Sequence, residues 1–336
     1  IDTTVMIPKE EVVVTISRDG YIKRTSLKSY SASKDEETTL KENDYLLGVY
    51  EMNTLDTLLV FTNLGNFLYI PVHTIYDLKW KELGKHISNL IPLGEEEEVV
   101  YALPVKEFNK NKNIIISTAN GMIKRTSLSD FKITRITKPS CCIKLKDNDR
   151  VVSVMLDNYE DIFVETKLGY GLLFNKEEIP IVGIKASGVK AINLKDDVVV
   201  STINFDKTDN NYLVVITDKG TGKRVKLTEF EVTSRARRGV MTIRDVKTNP
   251  YYVINAFISN NREHIGIKNG EINIIKTSEL PIVDRYSTGS SINKKGISEA
   301  FIYKDFVDKS NEVIKKEQIS LDDVDKRLMT IDDFLK

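Results

Sequence analysis

The chain has 336 residues, of which 41% are hydrophobic and 8% aromatic, so it can bury a large core in one all-β domain or in two ordinary domains. Its 49 basic and 49 acidic residues cancel, so net charge neither favours nor excludes a polyanionic partner and only the distribution of charge is informative. The adjacent Cys141 and Cys142 are unsuited to a disulfide framework or a chelating pair, and no apolar run reaches membrane-spanning length.

The first predicted element is a β-hairpin. A β-branched run from Val12 to Ile16 ends at the turn dipeptide Asp19-Gly20, and Tyr21 to Leu27 forms the second strand. The same pattern recurs around five later turn glycines, at intervals of 45 to 56 residues: Gly65, Gly121, Gly169, Gly220 and Gly270. A period of this length indicates an array of six equivalent units.

Two further features repeat in all six units. The residue ten positions after each turn glycine is apolar: Tyr30, Ile75, Phe131, Ile179, Phe230 and Leu280. A later apolar or alternating run follows in each unit, at 46–52, 98–104, 150–156, 198–203, 252–258 and 300–303. Each unit thus offers about four strands, and no helix-length periodic segment occurs before residue 304. We predict an all-β, six-bladed ring of four-stranded blades, a β-pinwheel, over residues 1–303.

The composition changes in the last segment, 304–336. It lacks glycine and carries nine acidic and seven basic residues. Ser320 to Asp323 resembles a capping box, and apolar residues follow at helical spacing. We expect a charged tail with a short amphipathic helix that folds back on the ring or stays disordered, in preference to one that binds a partner.

The most exact repeat in the chain is Ile-Lys-Arg-Thr-Ser-Leu, at 22–27 and 123–128. Its basic pair recurs three and four residues after the turn glycine in the first, third and fifth units, as Lys23-Arg24, Lys124-Arg125 and Lys223-Arg224. The second, fourth and sixth units have Leu68-Tyr69, Leu172-Leu173 and Asn273-Ile274 there. Further cations flank the odd copies: Arg18, Lys28, Lys34, Lys132, Arg135, Lys138, Lys226, Arg235, Arg237 and Arg238.

Two interpretations of these cations compete. Lysine and arginine on strands commonly solvate a sheet edge and deter aggregation. Three pairs at one structural offset, with acidic residues gathered at 35–37 and 95–98, instead favour a shaped track for a polyanion. Successive strand side chains point to opposite faces, so a Lys-Arg pair can serve such a track as a unit only at an outer rim.

No catalytic constellation accompanies the repeats. His73, His86 and His264 are isolated from other potential ligands, so we expect no metal site and no cofactor. Gly220-Thr221-Gly222-Lys223-Arg224 falls at a hairpin turn with no helix after it, which favours a turn over a phosphate loop.

The stretch from Val12 to Arg24 resembles the opening of the C-terminal domain of bacterial type IIA topoisomerase A subunits, and the resemblance extends to about Tyr303. It implies a β-pinwheel whose basic rim bends duplex DNA and presents it to a catalytic core. Gyrase A subunits carry a Gln-Arg-Arg-Gly-Gly-Lys/Arg-Gly box after the first hairpin, whereas this chain has Ser31-Ala32-Ser33-Lys34-Asp35-Glu36-Glu37. The chain therefore looks like the topoisomerase IV branch of the family.

The resemblance also implies the partners and the limits of this chain. The DNA-cleaving tyrosine would lie in the N-terminal catalytic domain of the same polypeptide, and the ATPase in a separate subunit. This cytoplasmic, nucleoid-associated fragment is therefore expected to be a non-enzymatic monomer. Its parent would be an ATP-dependent type II topoisomerase active in decatenation and relaxation. Two alternatives stay open: a gyrase domain that wraps DNA for negative supercoiling, and a β-propeller that binds proteins.

Overall fold

The computed structural model describes residues 6–207 and 210–304. Within these ranges the chain forms six antiparallel sheets, each built on one of the six predicted hairpins. The all-β, six-bladed ring predicted from the glycine alignment is confirmed. Of the predicted tail, only Lys304 belongs to the described residues, so the expected helix lies outside them.

Each blade is centred on a hairpin. The first hairpin strands are β1 (Glu11–Ser17), β4 (Thr57–Thr62), β8 (Asn113–Thr118), β12 (Asp161–Thr166), β16 (Tyr212–Thr217) and β20 (His264–Asn269). The second hairpin strands are β2 (Tyr21–Ser26), β5 (Asn66–Pro71), β9 (Met122–Ser127), β13 (Tyr170–Asn175), β17 (Thr221–Lys226) and β21 (Glu271–Lys276). Every residue of β4 and β8 is buried, because each sheet is covered on both faces by its neighbours.

The core lies between successive blades. Phe61 and Phe67 of the second blade pack edge-on against Phe131 of the third, with ring centroids 5.7 and 5.0 Å apart. Phe163 of the fourth blade meets Phe230 of the fifth in the same way, at 5.0 Å. Phe131 and Phe230 are two of the apolar residues ten positions after a turn glycine, so that repeat position builds the junctions between blades.

The innermost strand of each sheet follows the hairpin in sequence, and these strands contact one another in succession. They are β3 (Leu46–Asn53), β7 (Val99–Val105), β11 (Val151–Leu156), β15 (Val199–Phe205), β19 (Val253–Ser259) and β23 (Glu299–Ile302). The last blade meets the first through Tyr45, whose ring stacks on Phe301 with centroids 3.5 Å apart. The Tyr45 hydroxyl also donates a hydrogen bond to Glu299. The ring is therefore closed on its inner side by side chains.

The outermost strand of five sheets comes from the following unit, which the repeat pattern did not predict. These strands are only two residues long: β6 (Lys85–His86), β10 (Ser140–Cys141), β14 (Val189–Lys190), β18 (Val240–Met241) and β22 (Ser290–Ser291). The strand order in the first blade is accordingly β3-β1-β2-β6, with β6 supplied by the second unit. Among the described residues, the sixth sheet has three strands and ends at β21.

Short helical turns connect the second hairpin strands to these outermost strands. Units two to six use 3-10 turns: Val72–Thr74, Leu128–Phe131, Lys176–Glu178, Leu227–Glu229 and Thr277–Glu279, and a further turn, Ile87–Asn89, follows β6. The first unit instead has an α-helix, α1 (Leu27–Ser33), capped by Ser26, whose hydroxyl accepts the backbone N–H of Ser29 at 3.2 Å. The first unit thus differs from the other five in the segment that follows its second hairpin strand, which is an α-helix in place of a 3-10 turn.

Candidate nucleic-acid interface

The three lysines of the repeated basic pairs are buried. Lys23 is 2% exposed, and Lys124 and Lys223 are fully enclosed. A lysine in this position cannot contact a phosphate without leaving the protein interior. The structure therefore contradicts the expectation that these lysines face a DNA track.

Each lysine instead donates hydrogen bonds to backbone carbonyls of the next unit. The Lys23 ammonium lies 2.6 Å from the carbonyl oxygen of Trp80. Lys124 reaches Ile184 at 2.9 Å, and Lys223 reaches Arg285 at 2.8 Å, each through the carbonyl oxygen. Burial lowers the pKa of all three ammonium groups to about 8. These bonds across a blade junction offset part of the cost of burying each cation.

The neighbouring arginines cross the same junctions. The Nε–H group of Arg24, Arg125 or Arg224 donates to the carbonyl oxygen of the apolar residue ten positions after the next turn glycine. The acceptors are Ile75 at 2.8 Å, Ile179 at 2.9 Å and Leu280 at 2.8 Å. The basic pairs thus join the first blade to the second, the third to the fourth and the fifth to the sixth. The two side chains of each basic pair project to opposite faces of their strand, and a further strand lies outside it. The pairs therefore do not meet the condition for binding DNA as a unit, which is a position at the outer rim.

Arg125 is the most enclosed of the three arginines, at 5% exposed. Its guanidinium lies 3.2 Å from the Asp157 carboxylate, and both side chains are 7% exposed. Arg224 has a neutral partner instead, the amide oxygen of Asn261 at 2.7 Å. Two junctions that lack a basic pair are apolar at that position: the second blade has the buried Leu68, and the fourth has Leu172 and Leu173.

The other predicted cations have different surroundings. Arg18 is turned toward the second blade, where it donates to the carbonyl oxygen of Val99 at 2.7 Å and pairs with Glu98 at 3.1 Å. Lys28, Lys132, Arg135, Lys226 and Arg237 are exposed. Arg235 is half-buried and donates to the carbonyl oxygen of Lys190 at 2.6 Å. Arg238 is half-buried and lies over the Tyr170 ring, 3.7 Å from its centroid.

The outer edge of the ring carries an excess of positive charge. We define the perimeter segments as the ten residues that end at each outermost strand: 77–86, 132–141, 181–190, 232–241 and 282–291. Together they contain twelve lysines and arginines and three acidic residues. Nine of these cations are exposed and the other three are half-buried. The perimeter segments therefore present cationic side chains along the outer edge of five successive blades.

Sequence reasoning found six of these twelve cations: Lys132, Arg135, Lys138, Arg235, Arg237 and Arg238. It missed the six others: Lys79, Lys81, Lys85, Lys185, Lys190 and Arg285. No feature of the sequence places these segments at the outer edge. Their position is shown only by the pairing of the two-residue strands. The corresponding segment of the first unit, 32–41, has two lysines and three acidic residues. The cationic edge is interrupted there.

The buried lysines hold three of the perimeter segments in place. Lys23 binds the segment 77–86, Lys124 binds 181–190 and Lys223 binds 282–291. The repeated motif thus acts on the outer surface indirectly, by fixing the backbone from which the exposed cations project.

In the described part of the chain, no group of three or more histidine, cysteine, aspartate or glutamate side chains could hold a metal ion. A search of the described helices for one with the length and apolarity to cross a membrane finds none. We treat the cationic edge as the candidate site.

The ring of blades that exchange their outermost strands agrees with the DNA-topoisomerase pinwheel domains that the sequence resembles. The family described as "DNA gyrase C-terminal domain, beta-propeller" matches residues 11–34, 56–106, 112–156, 160–205 and 211–260. The chain belongs to this family, and the resemblance found in its sequence is confirmed.

Its relatives include the A subunit of DNA topoisomerase 4 from Bacillus subtilis (strain 168), which is 42% identical over 294 residues, 86% of this chain and 36% of the relative. The corresponding protein of Staphylococcus aureus (strain MRSA252) is 40% identical over 306 residues, 87% of this chain and 37% of the relative. The chain thus spans little more than a third of the length of these relatives.

Solved structures show the same architecture. A crystal structure of the C-terminal domain of DNA topoisomerase IV has a TM-score of 0.86 and 39% identity, covering 93% of this chain and 99% of that one. The DNA gyrase A C-terminal domain has a TM-score of 0.64 at 22% identity, covering 88% of this chain and 100% of that one, and supports the fold alone.

Proposed function

We propose that this chain binds duplex DNA without sequence specificity along the perimeter segments and bends it, as part of a type IIA topoisomerase related to topoisomerase IV. The observation that carries the proposal is the charge of those segments, twelve cations against three acidic residues, on the outermost edge of a ring. Family membership supports it, since the matched family is that of the DNA gyrase C-terminal domain.

The chemistry is that of phosphate contacts. Lysine and arginine on a rigid edge meet the regular charge lattice of duplex DNA and position it without reading bases. About six phosphate contacts would give a log-log salt slope near −5, with roughly a thousandfold loss of affinity between 50 and 200 mM salt. Bending a 20 to 30 base-pair site by 40 to 90 degrees costs on the order of 1 to 6 kcal/mol, so contacts on several blades are needed to hold it bent.

The proposed contact residues differ from the set predicted from the sequence. Lys132, Arg135, Lys138, Arg235, Arg237 and Arg238 are kept, and the six perimeter cations that sequence reasoning missed are added. Lys28 and Lys226 are exposed near the edge and can extend it. The three basic pairs and Arg18 are assigned to the junctions between blades.

The cationic edge is interrupted at the first unit, and this interruption favours bending of the DNA over wrapping it around the whole ring. Asp35, Glu36 and Glu37 occupy the place of the gyrase box, and all three are exposed. An arc from the second unit to the sixth suits bending and capture of a DNA segment, and it favours decatenation and relaxation over the full wrap of a gyrase domain. In the parent protein the DNA would be presented to the catalytic domain of the same polypeptide, which works with an ATPase subunit in the cytoplasm.

The test compares exposed cations on and off the edge. Replacing Lys132 and Arg135 with alanine should lower the salt slope of binding by about one per lost phosphate contact, equally on unrelated DNA sequences. The control replaces Lys106 and Lys110, which are also exposed but follow the innermost strand β7. That control should leave the slope unchanged. Equal effects of the two variants would contradict the perimeter path, and no binding at moderate salt would favour the protein-binding propeller.

A further inference from the structure

Exposed apolar side chains are concentrated in the perimeter segments. Eleven large apolar side chains are exposed among the described residues, and five of them lie in these segments, which make up about a sixth of the described chain. The five are Ile181, Val232, Val240, Ile282 and Tyr286. Single exposed apolar residues are common on protein surfaces, so their concentration on one edge is the informative observation.

Three of these side chains occupy the same position in successive units. Ile181, Val232 and Ile282 each stand twelve residues after a turn glycine and begin a perimeter segment. They are 56, 53 and 44% exposed. Ile133 holds this position in the third unit and is half-buried, whereas the second unit has Asp77 there. Each of the last three units thus presents one β-branched apolar side chain at the outer edge.

The backbone at this position is held by a parallel β-bridge to a second hairpin strand. The bridges are Arg125 with Ile181, Leu173 with Val232 and Arg224 with Ile282. In the first of them, the N–H of Arg125 donates to the carbonyl oxygen of Pro180 at 3.1 Å, and its carbonyl oxygen accepts the N–H of Val182 at 2.9 Å. A β-branched side chain has few rotamers, so its contact with a ligand would cost little conformational entropy.

A cation follows each of these residues within the same perimeter segment. The pairs are Ile181 with Lys185, Val232 with Arg235 and Ile282 with Arg285, three or four residues apart. Lys185 is exposed and the two arginines are half-buried. The backbone of duplex DNA repeats the same two chemistries, because anionic phosphates alternate with deoxyribose rings whose carbon atoms are apolar. A repeat of apolar and cationic groups along one edge therefore suits the DNA backbone.

We propose that Ile181, Val232 and Ile282 contact deoxyribose rings of DNA bound along the perimeter segments, and that these contacts supply a part of the affinity that salt does not weaken. The inference rests on the proposed function, because it concerns the same edge and the same ligand. Phosphate contacts release counterions, so their contribution falls as the salt concentration rises. Burial of apolar surface releases no counterions, so its contribution persists at high salt.

Binding of duplex DNA by the complete chain at several salt concentrations tests the proposal. Replacing Ile181, Val232 and Ile282 with serine should leave the log-log salt slope unchanged, because no cation is removed. The affinity extrapolated to about 1 M salt should fall roughly tenfold, because apolar contact area is lost. Denaturant unfolding should give the native midpoint for this variant, since the three side chains are exposed.

The matched control replaces Leu55, Leu64 and Tyr159 with serine. These residues are 48, 43 and 43% exposed and lie outside the perimeter segments, so neither the slope nor the extrapolated affinity should change. An equal loss of extrapolated affinity in the two variants, or a lower slope in the edge variant, would overturn the proposal. Native affinity in the edge variant would overturn the deoxyribose contacts and leave phosphate binding in place. Failure of the native chain to bind would overturn the proposed function as well.

Methyl NMR of the complete chain identifies the group that is contacted. When isoleucine and valine methyl groups are labelled, those of Ile181, Val232 and Ile282 should show NOE contacts to deoxyribose protons of a bound duplex. The methyl groups of Ile274, which is 40% exposed on β21 and lies outside the perimeter segments, should show none. Contacts to base protons alone, or to no DNA proton while binding persists, would overturn the assignment.

Discussion

The fifth and sixth blades share a hairpin but differ at its outer edge. In the fifth, β22 covers β17, and Gly222, Lys223 and Val225 are buried. In the sixth, the corresponding residues of β21 are Ile272, Asn273 and Ile275, and none of them is buried. The comparison shows that burial of the second hairpin strand depends on the segment laid over it by the next unit.

The turn glycines of the fifth and sixth blades also differ in whether another segment lies against them. Gly220 and Gly270 both have positive φ, at 82° and 74°. A Cβ at Gly220 would overlap the carbonyl oxygen of Asn293, which follows β22, whereas a Cβ at Gly270 would meet no atom within 4 Å. The backbone requirement is therefore common to both turns, but the steric requirement belongs only to the covered blade.

The largest expected effect separates these two glycines. Gly220→Ala combines left-handed strain of about 1 to 2 kcal/mol with an overlap that costs about 1 to 3 kcal/mol, and should destabilise the protein by roughly 2 to 5 kcal/mol. Gly270→Ala should lower the free energy of unfolding only by the left-handed backbone strain, because no atom lies near its added Cβ. Denaturant unfolding of both variants measures the difference, and similar losses of unfolding free energy would show that the covering segment does not constrain the fifth turn.

The next effect concerns the buried lysine. Lys223→Met leaves the carbonyl groups of Arg285 and Ser287 without this donor and should lower the free energy of unfolding by about 1 to 3 kcal/mol. Asn273→Met, at the same offset in the sixth blade, should change it by at most about 0.5 kcal/mol. If the two substitutions lower the free energy of unfolding by the same amount, the hydrogen bonds of Lys223 do not stabilise the junction between the fifth and sixth blades.

A smaller effect is the pH dependence of the same lysine. Burial lowers its pKa from 10.5 to about 8, so between these values the folded chain holds fewer protons than the unfolded chain. The contribution of Lys223 to stability therefore rises with pH across this window, by at most about 1.4 kcal/mol per pH unit. Unfolding at several pH values from 7.5 to 10 should show that the gap between native and Lys223→Met widens with pH. Asn273→Met should show no such change relative to the native chain.

The repeated basic motif shows where sequence reasoning failed. Lys124 and Arg125 lie among β-branched and hydroxyl residues, and a basic pair in such a strand is usually a solvated edge or a ligand-binding surface. The structure encloses them because the unit that follows adds its own segment outside β9, ending in the two-residue strand β14. A strand that short has no periodicity of its own, so its pairing could not be predicted.

The sequence by itself determined the hairpins, their number and the ring, because turn glycines and alternating or apolar strands are local signals that recur six times. It also located six of the twelve cations that lie on the outer edge. Only the tertiary structure decided which cations face outward. That choice depends on contacts between units more than 50 residues apart, such as Lys223 with Arg285, and no local pattern encodes them. The exposure of β21 has the same cause. It occupies the same position in its hairpin as the five buried strands, but no described segment covers it.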